Sequence, residues 1–165
     1  MADGSSPRDE AVIWLWRHLP FSGPIKGAIA WLANVRYAVG VAAVIFDGEG
    51  KVLLVRHTYR GAAWEWGLPG GWVKGRESLE RALTRELREE TGLEIVVEQL
   101  VTVQSGYSVP RMTVFYHARI AGGTFRPSAE VSDFEYRSPV ELGRVLSGEQ
   151  QAVLEAIELR SDRRD

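Results

Sequence analysis

Three glutamates between residues 86 and 90 hold the chain's most distinctive chemistry. The stretch reads Gly71, five residues, Glu77, seven residues, then Arg85-Glu86-Leu87-Arg88-Glu89-Glu90-Thr91-Gly92-Leu93. Residues 78–91 contain no Gly or Pro and are heavy in Glu, Leu, Arg and Ala, all good helix formers. On a helix turning about 100° per residue, Leu79, Leu83 and Leu87 mark the buried face. Glu86 and Glu90 then fall about 20° to either side of Leu79, with Glu89 about 80° away. A solvated helix turns its carboxylates away from its leucines. Here two enter the apolar arc, where they repel each other and resist desolvation unless a cation sits near. Oxygen donors without His or Cys suit hard Mg²⁺ or Mn²⁺ rather than zinc. A competing reading pairs the same glutamates with Arg81, Arg85 and Arg88 at i±3/4 spacing. The helical wheel leaves both readings open.

The elements that must position these side chains can be read outward from the helix. Gly92 is the expected left-handed stop. A Gly-rich loop over residues 65–74, containing Trp66-Gly67-Leu68-Pro69-Gly70-Gly71, leads into it. Upstream, residues 37–47 and 51–58 are two β-rich runs around Asp47-Gly48-Glu49-Gly50, a pattern that predicts a hairpin. Downstream, strands are expected over 95–103 and 112–120, with a short one at 134–136. Ser138-Pro139 opens a helix to about residue 146. Ser147 and Gln150 suggest a capping box for a last helix over 150–159. Strands and helices mix without strict βαβ alternation, which predicts an α+β fold, an α/β/α sandwich around a mixed sheet.

Residues 11–33 stand apart. They carry Trp14, Trp16 and Trp31 and are broken by Pro20, Gly23 and Pro24, which suggests two short amphipathic helices. The chain therefore divides into an extension, 1–35, and a main domain, 36–165. The extension's apolar faces suit packing on that domain or on a second copy, so a homodimer is an open expectation. Attachment to a membrane surface, helped by Arg17, Lys26 and Arg36, is the less favoured reading.

Composition narrows the field. The chain has 165 residues, with 45 % hydrophobic and 25 % charged, enough for one globular domain. A net charge of −2 provides no global field for DNA or anionic lipid. The absence of Cys excludes disulfides, zinc thiolates and thiol nucleophiles. No apolar run is long enough to span a bilayer and no cleavable leader opens the chain, so a cytoplasmic location is the default expectation.

The spacing from Gly71 to Leu93 resembles the Nudix hydrolase signature at every defined position. Nine such positions arise by chance with a probability on the order of 10⁻⁷ or less. The resemblance implies an α/β/α sandwich with the motif as loop–helix–loop, and hydrolysis of a phosphoanhydride bond in a nucleoside-diphosphate-linked compound or nucleoside triphosphate. By the same resemblance, Glu86, Glu89, Glu90 and the carbonyl of Gly71 would bind Mg²⁺ or Mn²⁺. Glu77 would support them, and Arg85 would hold the carboxylates by charge pairing. Glu86 is the first candidate for the base that activates water, and Glu130, outside the motif, is the second.

On the substrate side, Arg56, His57 and Arg60 follow a predicted strand and could reach phosphate oxygens. Trp64, Trp66, Tyr59 and Tyr107 offer flat faces for a base. Each of these is more often an ordinary surface or core residue. The implied partner is a small nucleotide, with nothing in the motif choosing among nucleotide classes. Two alternatives stand beside this: removal of pyrophosphate from RNA 5′ ends, disfavoured by the charge, and a non-catalytic nucleotide-binding module, disfavoured by the intact motif.

Overall fold

The computed structural model describes residues 14, 18, 23–34, 36–62, 64–106, 109–142, 146, 150 and 153. The chain forms two compact units, Met1–Arg36 and Tyr37–Asp165. In the first, helix α1 spans Gly23–Ala33. The Arg36 guanidinium lies 3.6 Å from the centre of the Trp31 ring, a cation–π contact. The first of the two expected N-terminal helices lies largely outside the described residues.

In the second unit the described elements run β1 Ala38–Val44, β2 Val52–His57, β3 Trp66–Gly67, β4 Gly70–Trp72, α2 Leu79–Thr91, β5 Leu93–Ser105, β6 Arg111–Gly123, β7 Val131–Arg137 and α3 Pro139–Leu142. They make two sheets. The first has the order β4-β1-β6-β5 and is mixed, since β1 runs parallel to β6 and antiparallel to β4. The second, β3-β2-β7, is antiparallel. Mixed sheets flanked by helices are the α+β arrangement expected.

One expectation needs correcting. The runs around Asp47–Gly50 form a hairpin only at its closed end, where the Leu53 N–H donates to the Ile45 carbonyl at 2.9 Å. The turn itself closes, with Asp47 N–H donating to the Lys51 carbonyl at 2.9 Å, and a single bridge joins Phe46 to Val52. Beyond it β1 and β2 separate into different sheets. Both runs are buried almost throughout, and two strands apolar on both faces gain more from separate packing layers than from one shared ladder.

Two cores follow from that separation. Val41, Ala43, Leu53, Val114 and Tyr116 pack with Leu83 and Leu87 beneath α2. Ala42, Val44, Leu54, Leu68 and Phe115 pack in the second core. Alternation along β1 and β6 sends successive residues to opposite cores. Helix α2 begins at Ser78, whose hydroxyl accepts from the Arg81 N–H at 3.2 Å, and ends at Gly92 in the left-handed region, φ 73°. Full burial of Leu83 and Leu87 contributes about 1.5–3 kcal/mol each, which clamps the carboxylate-bearing face to the sheet. The expected helix over 150–159 lies mostly outside the described residues.

Candidate active site

The carboxylates of α2 sit in three different environments, in the order the helical wheel requires. Glu90 is 5 % exposed, Glu86 is mostly covered, and the Glu89 side chain is half open to solvent. One oxygen of Glu90, Oε2, is buried with no hydrogen-bond partner, while the Gly70 N–H near the carboxylate favours its charged form. Burial, then the charges of Glu86 and Glu130, push its pKa up to about 7. A buried, half-satisfied carboxylate beside two more is costly for a fold to keep without a cation.

Arg85 organises the rest. Its guanidinium donates to Glu77 at 2.7 and 3.1 Å, to Glu86 at 2.5 Å, to Glu89 at 3.3 Å and to the Trp72 carbonyl at 3.1 Å. Lys74 reinforces the frame, its backbone N–H donating to Glu77 at 2.7 Å and its ammonium to Glu89 at 3.3 Å. These bonds hold the Glu77 carboxyl down to about 2, with Arg85 the larger cause, and depress Glu89, chiefly through Lys74. Both readings of the helix thus have structural counterparts: arginine pairing for Glu86 and Glu89, an orphaned oxygen for Glu90. Arg81 and Arg88 make no ion pair with these carboxylates among the described residues.

The glycine lead completes the frame. A side chain at Gly71 would stand 2.5 Å from the Glu86 carboxyl, so only glycine leaves that carboxylate beside the strand. Gly70 lies against the Val41 carbonyl on β1, the neighbouring strand. Among the described residues no three acidic or imidazole side chains close around one point, because Arg85 and Lys74 draw Glu86 and Glu89 aside. The donor set still fits a hard divalent cation: all oxygen, all acidic, with one buried lone pair unused.

Across the sheet from α2 lies a trough of about 430 Å³. Gly40 and Ala42 of β1 and Gly70 of β4 form its floor, with Thr113 and Phe115 of β6 beside them; the small residues at 40, 42 and 70 leave the space open. Tyr59, Trp64, Trp66 and Trp72 supply aromatic walls, and Arg60, Arg111 and Gln150 supply polar groups. A shallower groove runs along the exposed flank of α2, but Arg85 and Glu80 there are already bonded, to Glu77 and Tyr116.

The family follows from residues 36–156, which match the NUDIX domain. The chain belongs to the NUDIX domain family. It is 39 % identical to an 8-oxo-dGDP phosphatase of Danio rerio over 101 residues, 61 % of this chain, and spans 30 % of that relative's length. It is 29 % identical to a MutT-like protein of Streptomyces ambofaciens over 106 residues, 64 % of this chain and 67 % of the relative. Among solved structures it is similar to an ADP-ribose pyrophosphatase from Streptococcus suis, with TM-score 0.60 and 28 % identity, covering 73 % of this chain and 92 % of that one.

Within this NUDIX domain the sequence-expected residues divide. Glu86, Glu90, Gly71 and Arg85 come together. Glu130 joins them from outside the motif: its carbonyl accepts from the Thr58 N–H at 2.9 Å, and its charge is felt at Glu90. Arg60 lines the trough and makes no hydrogen bond or ion pair among the described residues. Arg56 points elsewhere, held by Glu65 at 3.0 and 3.1 Å. Tyr107 lies outside the described residues. His57 is 2 % exposed with both ring nitrogens unpartnered, and burial, then Arg60, lower its pKa to about 4, so it is neutral. Trp72, Arg111, Thr113 and Gln150 were not anticipated; the small residues at 40, 42 and 70 were the available clue.

Proposed function

We propose that this chain hydrolyses a phosphoanhydride bond in a nucleoside-diphosphate-linked compound or a nucleoside triphosphate, with Mg²⁺ or Mn²⁺ as cofactor. The observation that carries this reading is the Glu90 carboxylate, buried and half-satisfied beside Glu86. Glu86, Glu89, Glu90 and the Gly71 carbonyl would hold the cation. It would supply neutralisation of the phosphate charge and acidification of the attacking water.

The chain's own groups do the remainder. Arg85 is a positioning residue that holds the Glu86 and Glu89 carboxylates to one guanidinium through bonds at 2.5 and 3.3 Å. The carboxylate oxygens of Glu130 or Glu86 would take the proton of the attacking water. Arg60, which lies over the Tyr59 ring at 5.7 Å and makes no hydrogen bond or ion pair among the described residues, would bind phosphate oxygens; Arg56 could do so only after leaving Glu65. The aromatic walls of the trough would hold the nucleoside. The similarity to an 8-oxo-dGDP phosphatase and an ADP-ribose pyrophosphatase supports a nucleotide substrate. A cytoplasmic location belongs to the same proposal, as the place where such nucleotides are turned over.

The test is release of nucleoside monophosphate from a panel of nucleoside triphosphates, ADP-ribose and nucleoside-diphosphate sugars, with Mg²⁺, Mn²⁺ or EDTA. Turnover that needs the cation is expected for at least one compound. No turnover of any of them under either cation would overturn the proposal.

A further inference from the structure

Glu130 is exposed, and its carboxylate makes no hydrogen bond or ion pair among the described residues, yet its charge is felt at Glu90. The backbone that carries it must therefore set its place. That backbone, residues 124–130 between β6 and β7, is tied to the rest of the domain at both ends. At its root the Arg126 N–H donates to the carbonyl of Thr91, the residue after Glu90, at 2.8 Å. At its far end Thr58, the residue after β2, makes two bonds. Its N–H donates to the Glu130 carbonyl at 2.9 Å, and its hydroxyl donates to the Ala129 carbonyl at 2.6 Å.

Neither the sheet nor the loop itself replaces this hold. The β2–β7 ladder shifts register between Arg56 and His57 and ends at the pair His57–Val131, one step short of Glu130. The Ser128 hydroxyl accepts from the Glu130 and Val131 N–H groups at 3.2 and 3.1 Å, but those bonds stay within residues 128–131. Any residue except proline at 58 keeps the N–H bond; the second bond needs a hydroxyl. Thr58 also stands two residues before Arg60, so one turn carries both the phosphate-binding candidate and the hold on Glu130.

We propose that Thr58 is a positioning residue of the hydrolytic site: its hydroxyl latches the 124–130 loop to the end of β2 and keeps Glu130 within reach of the water it deprotonates. This rests on the hydrolase reading with Glu130 as the base.

Two variants and two measurements test it. Thr58→Val keeps the side chain's volume and the N–H bond and removes the hydroxyl, whereas Thr58→Ser keeps the hydroxyl. With Mg²⁺ and a nucleotide that the chain turns over, Thr58→Val is expected to lower kcat by about 10–10²-fold with KM within about 2-fold. Thr58→Ser is expected to stay within about 3-fold of the unmodified chain in kcat. Both should melt within about 4 °C of it, since one exposed hydrogen bond adds little stability. Added to Glu130→Gln, Thr58→Val should cost less than about 2-fold more, because no base is left to misplace. A merely structural role would lower both backgrounds alike. The second measurement, amide hydrogen exchange in EDTA, needs no turnover: exchange at Glu130 and Val131 should quicken about 10-fold in Thr58→Val and stay unchanged in Thr58→Ser. An unchanged kcat in Thr58→Val or in Glu130→Gln, equal losses in the two backgrounds, no rescue by serine, or unchanged exchange would overturn the inference. If the unmodified chain hydrolyses no nucleotide with either cation, the hydrolase reading falls, and exchange alone decides whether the latch exists.

Discussion

Replacing Glu90 with Gln should stabilise the cation-free protein at alkaline pH, an unusual result for a buried motif residue. The folded-state pKa of Glu90 is raised from 4.5 to about 7. The native state therefore holds this proton more tightly than the unfolded chain does. The stability linked to it is fully present below about pH 4.5 and is lost as pH rises to about 7, staying lost above. A shift from 4.5 to 7 is 2.5 pH units, and at 1.36 kcal/mol per unit the loss is about 3 kcal/mol. Gln keeps the shape and an oxygen near the Gly70 N–H but cannot ionise. In EDTA at pH 8, Glu90→Gln should therefore melt roughly 6–12 °C above the unmodified chain, taking 2–4 °C per kcal/mol. At pH 5 the difference should shrink toward zero. Calorimetry or thermal fluorescence across pH 5–8 measures this. A melting temperature that is flat across that range in the unmodified chain, with Glu90→Gln less stable at pH 8, would refute the reasoning.

Three further outcomes follow from the same geometry. Gly71→Ala would set a methyl 2.5 Å from the Glu86 carboxyl and displace it, so turnover should fall by about 10²-fold or more with circular dichroism unchanged. Glu77→Gln should destabilise at neutral pH. The Glu77 carboxyl, held to about 2 by Arg85 and Lys74, contributes stability above about pH 4.5 that is lost as pH falls through 2, so the two urea denaturation curves should converge in acid. Glu130→Gln should lower kcat by about 10²–10⁴-fold if Glu130 is the base, with KM little changed; steady-state kinetics decides between it and Glu86.

The helix and its carboxylates were legible because both depend on local pattern. A 14-residue run without Gly or Pro sets the helix, and the angular positions of Glu86, Glu89 and Glu90 against the leucines set the order of burial found. The left-handed stop at Gly92 is equally local. The fate of the Asp47–Gly50 turn was not. An Asp-Gly turn reverses the chain but does not say whether its arms stay paired, and here each arm finds better partners far away in sequence, β6 for β1 and β7 for β2. The trough shares that origin. Gly40, Gly70 and Thr113 are unremarkable apart and become a floor only when β4, β1 and β6 align in register. Arg56 and Arg60, four apart on one predicted strand end, looked alike in sequence. Glu65 claims the first, and the turn after β2 carries the second into the trough.

The central claim, that the α2 carboxylates hold the catalytic cation, is tested most directly by titrating Mn²⁺ and following the loss of its free-ion electron paramagnetic resonance signal. The account predicts saturable binding to the unmodified chain, weakened at least about 10-fold in both Glu86→Gln and Glu90→Gln although each still melts cooperatively. Binding of equal strength in all three proteins would place the cation elsewhere and contradict it.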